Sequence, residues 1–172
     1  MSDPIKKHVI AILVDNEFGA LARIVELFSA RGYNIESLNV APTTLDRKLS
    51  RVTITTYGSD KTIELICKLL KRIVPVHQAA ELTREQGYIE RELTLAQIIA
   101  DSKTREKAVK LLEKYRSSII DIAGDSIVFE IIGSSESNDE ALNLLADCGL
   151  VSVSRTGIAA GFKGEKKLSD TK

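Results

Sequence analysis

The sequence predicts an α+β protein made of two tandem ferredoxin-like modules, each of order β-α-β-β-α-β. Three observations carry that prediction. Short apolar runs of period two alternate with apolar stripes of helical period. The same succession occurs twice, offset by roughly 80 residues. A chain of 172 residues, 44% hydrophobic and 28% charged, suits two small globular domains.

In the first half, HVIAILV (8–14) is almost wholly apolar and rich in β-branched residues, as a central strand requires. DNEFG (15–19) is a turn. Leu21, Ile24, Val25 and Phe28 then fall on one helical face, and Gly32 ends that helix. Leu38 and Val40 alternate with polar or small neighbours, and so do Val52 and Ile54, so two half-buried strands flank the turn TLDRK (44–48). Ser59 or Asp60 caps a second helix striped by Ile63, Ile66, Cys67, Leu70 and Ile73. PVHQAAEL (75–82) is the last strand. TREQGY (83–88) reads as a linker.

The second half repeats the order. IERELTLAQII (89–99) reads as a strand. Ala108, Leu111, Leu112 and Tyr115 stripe a helix that Ser102 is placed to cap. SSIIDI and SIVFEII flank the turn Ala123-Gly124-Asp125. Ala141, Leu142, Leu144 and Leu145 stripe a helix ending near Gly149, and LVSVSRTGI is the final strand. The expected domains are therefore 7–82 and 89–160, with a polar, disordered tail over 161–172. Each sheet is expected to carry two helices on one face. The other face of the first sheet, with Ser37, Asn39, Arg51, Thr53 and Thr55, reads as solvated or as a face that meets a partner. Cores of this size favour association, so a dimer is expected.

Composition narrows the function. Basic and acidic residues balance at 24 each, and the halves differ only from +2 to −2, so no field draws nucleic acid or an anionic membrane. No apolar run approaches the ~20 residues of a membrane helix, and the N-terminus lacks the pattern of a secretory signal. Cys67 and Cys148 make no disulfide framework and are read as small buried hydrophobes in helices of a cytoplasmic protein. His8 and His77 have no ligand-spaced partners in the sequence, so no metal site is expected. Motifs of serine hydrolases, zinc proteases and nucleotide-binding loops are absent. An RNA-recognition module would need aromatics where Arg51, Thr53 and Thr55 stand. An acylphosphatase-like enzyme would need a basic loop where Asp15 and Glu17 stand. No catalytic residues are assigned, and the chain is not expected to be an enzyme on its own.

Two segments hold ligand-binding chemistry. Asp15 to Leu21 joins a strand to a helix start, where free N–H groups and a partial positive charge favour a carboxylate. Gly19 lets a ligand or another backbone approach, and Asn16 offers both a donor and an acceptor. Both residues serve equally as ordinary turn chemistry. Arg31 to Ile35 leaves the same helix, and Asn34 there offers an acceptor or a helix cap.

Together these segments resemble an ACT domain, an amino-acid-binding regulatory module. More narrowly, N-x-x-G-A-L-x-R (Asn16 to Arg23), L-F-x-x-R-G-Y-N-I-E-S-L (Leu27 to Leu38) and S-R-x-T-I (Ser50 to Ile54) resemble the small regulatory subunit of acetolactate synthase. IERELTL (89–95) and IIDI (119–122) extend the likeness over residues 7–162. The resemblance implies a non-catalytic partner of a large subunit that carries thiamine diphosphate, a divalent metal (magnesium) and FAD, with no cofactor in this chain. It implies activation of that subunit and feedback inhibition by valine in branched-chain amino acid biosynthesis. It also implies a homodimer paired through the ACT domains. Asn16, Gly19, Ala20 and Leu21 of one chain and Asn34 and Ile35 of the other would hold valine at the junction. The alternative is a free-standing double-ACT sensor acting in transcriptional regulation.

Overall fold

A computed structural model describes residues 4–82, 87–165, 167 and 168. The chain divides into two compact units: Glu90–Gly157, and the flanking segments through Ile89 and from Ile158.

The first unit is built on β1 (Lys6–Asp15). Its helices are α1 (Ala20–Ala30) and α2 (Asp60–Leu70), and its other strands are β2 (Ser37–Pro42), β3 (Leu49–Gly58) and β4 (Val76–Glu81). The sheet is antiparallel in the order β2-β3-β1-β4. β1 pairs with β3 along its whole length, from Lys6 opposite Gly58 to Asp15 opposite Leu49. Alternation puts Ile10, Ile12 and Val14 on the helix face, where they bury against Ile24, Phe28, Ile63, Ile66 and Leu70. Ser59 is the cap of α2, its hydroxyl accepting from the Thr62 N–H.

The second unit repeats the plan with β5 (Tyr88–Ile99), α3 (Ser102–Leu112), β6 (Ser117–Ala123), β7 (Ser126–Gly133), α4 (Ser135–Ala146) and β8 (Leu150–Arg155), in sheet order β6-β7-β5-β8. Ala96, Ile98, Phe129 and Ile131 pack under Ala108, Leu112, Ala141 and Leu145. Asp101, not Ser102, caps α3 by accepting from the Thr104 N–H at 2.8 Å. Hydrogen bonding to Thr104, with smaller contributions from the Lys103 N–H and the nearby Arg105 charge, holds its carboxyl below the usual range. Cys148 is buried but stands in the turn after α4 rather than in a helix. Glu92 is buried and bonded to Arg155 at 2.5 Å, while Arg155 also reaches Asp139 at 2.6 Å. Those acceptors raise the Arg155 guanidinium further above its ordinary value.

Three further expectations need correction. The tail predicted to be disordered from residue 161 is ordered where it is described: Ala159–Phe162 form a further strand, β9, and Leu168 is buried. The final strand of the second unit stops at Arg155, and Ile158 belongs to the first unit. There Ile158 and Leu168 join Val9, Ala11 and Leu82 in a separate apolar cluster, on the face of β1 opposite Ile10 and Ile12. The apolar composition of residues 8–14 has its reason here, since β1 is buried on both faces. The sheet face read as solvated or as meeting a partner is buried at Thr53 and Thr55 within this chain. Arg51 donates to the Ala160 carbonyl at 2.7 Å, and burial lowers its guanidinium pKa. The linker assigned to 83–88 lies mostly outside the described residues. Of it, Gly87 has φ +66° and accepts from the Lys163 N–H, and Tyr88 opens β5.

Candidate functional site

The end of β1 fixes the predicted loop through backbone bonds on both sides. The Asp15 N–H donates to the Pro75 carbonyl at 2.8 Å and the Asn16 N–H to the Lys48 carbonyl at 2.7 Å. Asn16 Nδ2 donates to the Arg47 carbonyl at 2.7 Å, which leaves its Oδ1 as the acceptor the site offers. The loop's two carboxylates have basic partners: Asp15 contacts His77 Nε2 at 2.7 Å, and Glu17 contacts Arg23 at 3.3 Å. Sequence reading did not pair Asp15 with His77. The antiparallel register, with Val14 opposite Val76, is the signal that brings them together.

Gly19 then turns the chain into α1 with φ +83°, the left-handed region that favours glycine. No side chain caps α1, whereas Ser59, Asp101 and Ser134 cap the other three helices. A Cβ at Gly19 would meet nothing within 4 Å, so the space before the helix is open. Ala20 is buried beneath it, and Leu21 is 39% exposed at its rim. The Ala20 N–H donates to the Glu17 carbonyl at 3.3 Å, so an anion would meet the first-turn N–H groups that follow it, with an amide acceptor and an aliphatic neighbour beside them.

Asn34 and Ile35 lie at the far end of α1. Gly32, at φ +70°, ends the helix, and the Asn34 carbonyl accepts from Thr56 Oγ1 at 2.6 Å. Ile35 is half-buried against the first core, and the Asn34 side chain is exposed. The 11 residues of α1 span about 16 Å. One chain therefore brings Asn16, Gly19, Ala20 and Leu21 together and leaves Asn34 and Ile35 apart from them.

A third grouping was not legible in the sequence. His8 is buried with Nδ1 at 2.5 Å from Glu81 and Nε2 at 3.1 Å from the Gly58 carbonyl, while Asp60 stands 3.8 Å from Nε2 and is paired with Lys6. These residues are remote in sequence and meet only through the pairing of β1 with its neighbours. Among the described residues His8, Asp60 and Glu81 are the one such group with atoms close enough to share an ion. The two histidine nitrogens already face different partners, and Lys6 occupies Asp60.

The fold and the loop define the chain as one of tandem ferredoxin-like modules, the first of ACT type. Residues 10–78 match the family model described as an acetohydroxyacid synthase small subunit-like ACT domain, and residues 91–161 match that of the small subunit of acetolactate synthase. The chain belongs to the acetolactate synthase small-subunit family. It is 40% identical over 161 residues to the acetolactate synthase isozyme 3 small subunit of Salmonella typhimurium, covering 93% of this chain and 98% of that one. It is 38% identical to a probable acetolactate synthase small subunit of Archaeoglobus fulgidus, covering 94% and 99%. The crystal structure of the acetolactate synthase small subunit from Thermotoga maritima superposes with a TM-score of 0.84 at 30% identity, covering 94% of this chain and 99% of that chain.

Proposed function

We propose that this chain is the non-catalytic regulatory subunit of an acetolactate synthase, activating a thiamine-diphosphate-dependent large subunit and conferring inhibition by valine. Full-length family membership carries this reading. The large subunit would hold the cofactors, thiamine diphosphate, magnesium and FAD. This chain would work in the cytoplasm beside it.

The loop geometry supports an amino acid as effector. The valine carboxylate would meet the open first-turn amides of α1, and its ammonium would meet Asn16 Oδ1. Leu21 of the same chain and Ile35 of a second chain would enclose the isopropyl group. Burying that group contributes roughly 1.5–3 kcal/mol, so the charged ends must supply the remainder. One methylene distinguishes valine from leucine by only ~1–3 kcal/mol, so discrimination between them is expected to be incomplete.

A site shared by two chains follows from the separation of Asn34 and Ile35 from Gly19. Pairing through the first unit is supported by Leu21 and Val25 on α1 and Val40 on the edge strand β2, all exposed apolar residues. A ligand at such a junction inhibits only if it binds one arrangement of the chains better than another.

Reconstitution with the cognate large subunit tests the reading. Acetolactate formation should rise on adding this chain and fall on adding valine. Gly19→Asp should keep the activation and lose the valine response, through the added carboxylate at the anion site. Full valine sensitivity in a folded, activating Gly19→Asp chain would overturn the site assignment.

A further inference from the structure

Three loops close one end of the first sheet: the turn after β1, the β2–β3 hairpin and the connection from α2 to β4. The strand register brings them to the same end, with Asp15 opposite Leu49, Pro42 opposite Ser50 and Val14 opposite Val76. Backbone bonds tie them together, from Asp15 to Pro75 and from Asn16 to Lys48. Each loop carries one large apolar side chain without cover: Phe18, Leu45 and Val74 are 103%, 107% and 92% exposed. A lone exposed apolar residue is ordinary, but three on adjoining loops make a surface. Its charges are one-sided. Asp15, Glu17 and Asp46 each meet a basic side chain of the same chain, His77, Arg23 and Lys48. Arg47 and Arg72 are exposed, and among the described residues neither meets a carboxylate.

We infer that this end of the first unit docks on the large subunit, against an apolar surface bordered by carboxylates. The inference rests on the regulatory reading above and names the contact through which it acts. The unpaired charges here are both positive, so the surface that complements them is acidic. Aromatic and arginine side chains are also what interface centres favour. A second copy of this chain does not fit. The exposed apolar residues Leu21, Val25 and Val40 lie along α1 and the edge strand β2, whereas Val74 leads into β4 at the opposite edge of the sheet. Three strand spacings, about 14 Å, separate those edges. Two copies meeting end to end would set unpaired arginines against each other. The same loops carry the effector chemistry. Phe18 precedes Gly19, and Asn16 donates to the Arg47 carbonyl in the hairpin that bears Leu45. Among the described residues Arg47 is the one non-glycine in the left-handed region, at φ +55°, and that bond helps to hold it there. A ligand that moves Asn16 or the turn at Gly19 therefore shifts Phe18 and Leu45 against the large subunit.

The test titrates the full-length chain into the cognate large subunit and reads the concentration that gives half-maximal acetolactate formation. Leu45→Ser combined with Val74→Ser, at positions the effector site does not use, should raise that concentration at least about tenfold. Arg72→Glu should raise it about tenfold too, and less at high salt, which keeps the test independent of any folding loss in the double variant. Leu65→Ser, at a 44% exposed position of α2, should leave it unchanged. Valine uptake by each variant alone, followed by calorimetry, should match that of the unaltered chain. An unchanged half-activation concentration in a folded double variant or in Arg72→Glu would overturn the proposal, and so would an equal loss in Leu65→Ser. An unaltered chain that fails to activate the large subunit at any concentration would overturn the regulatory reading itself.

Discussion

Gly19 and Asn16 show what a single residue contributes to the loop. Asn16 spends its amide donor on the Arg47 carbonyl and keeps an acceptor, while Gly19 supplies a left-handed turn with open space beyond it. Both were legible because turn chemistry is local: a strand end, a glycine and a helical stripe adjoin in sequence. The pairing of Asp15 with His77 and the burial of His8 against Glu81 were not, because each partner is fixed by strand register 60 or more residues away. Cys67 is a further case. Burial in α2, aided by nearby Glu81, pushes its thiol up to about 11 from 9.0. At pH 8 it should therefore carry about 100-fold less thiolate than a free thiol, and react with a disulfide reagent correspondingly slowly. The sign for stability follows. Cys67 favours the fold fully below pH 9, and that contribution falls as pH rises toward 11, where the unfolded chain ionises first. Alkaline unfolding of Cys67→Ala should show a shallower decline over that window. Equal slopes for the two chains would refute the assignment.

At the scale of elements, the helices and strands were read from periodicity, and their ends were where the reading slipped. Ser102 and Asp101 are adjacent and both can cap; the structure selects Asp101, whose carboxylate reaches the Thr104 N–H. Gly149, expected as the residue ending α4, has φ +81° and a stricter role than ending a helix. Its carbonyl accepts from the Ile99 N–H at 3.0 Å, where β8 meets β5. A Cβ there would collide with the Ile99 carbonyl oxygen, which is backbone and cannot swing aside. Gly149→Ala should destabilise the second unit by about 3 kcal/mol, combining left-handed strain with that collision. Chemical denaturation would check it, and a change under 1 kcal/mol (roughly the conformational part alone) would mean the junction relaxes. Ile158 was read as the end of the final strand and residues 161–172 as a tail, because period and composition are weak over so few residues. The apolar residues Ile158, Phe162 and Leu168 are too scattered to announce a docking segment.

For the molecule as a whole, the repeat of β-α-β-β-α-β was legible from sequence, and the path of the chain after it was not. Residues from Ile158 onward return to the first unit and bury Val9, Ala11 and Leu82. A chain ending at Gly157 would leave those three side chains without Ile158 and Leu168 as cover. It should unfold at lower temperature by calorimetry, by several degrees for a loss of about 1–2 kcal/mol. An unchanged transition would show that the returning segment adds nothing to the first core. The same return makes the first unit discontinuous, with all of Glu90–Gly157 inserted between its parts. During synthesis the ribosome delivers β1 early and its cover only after the second unit has emerged. Until then Val9, Ala11 and Leu82 stay open to solvent and to chaperones. The unit that carries Gly19 and its loop is thus the first to be made and the last to be completed.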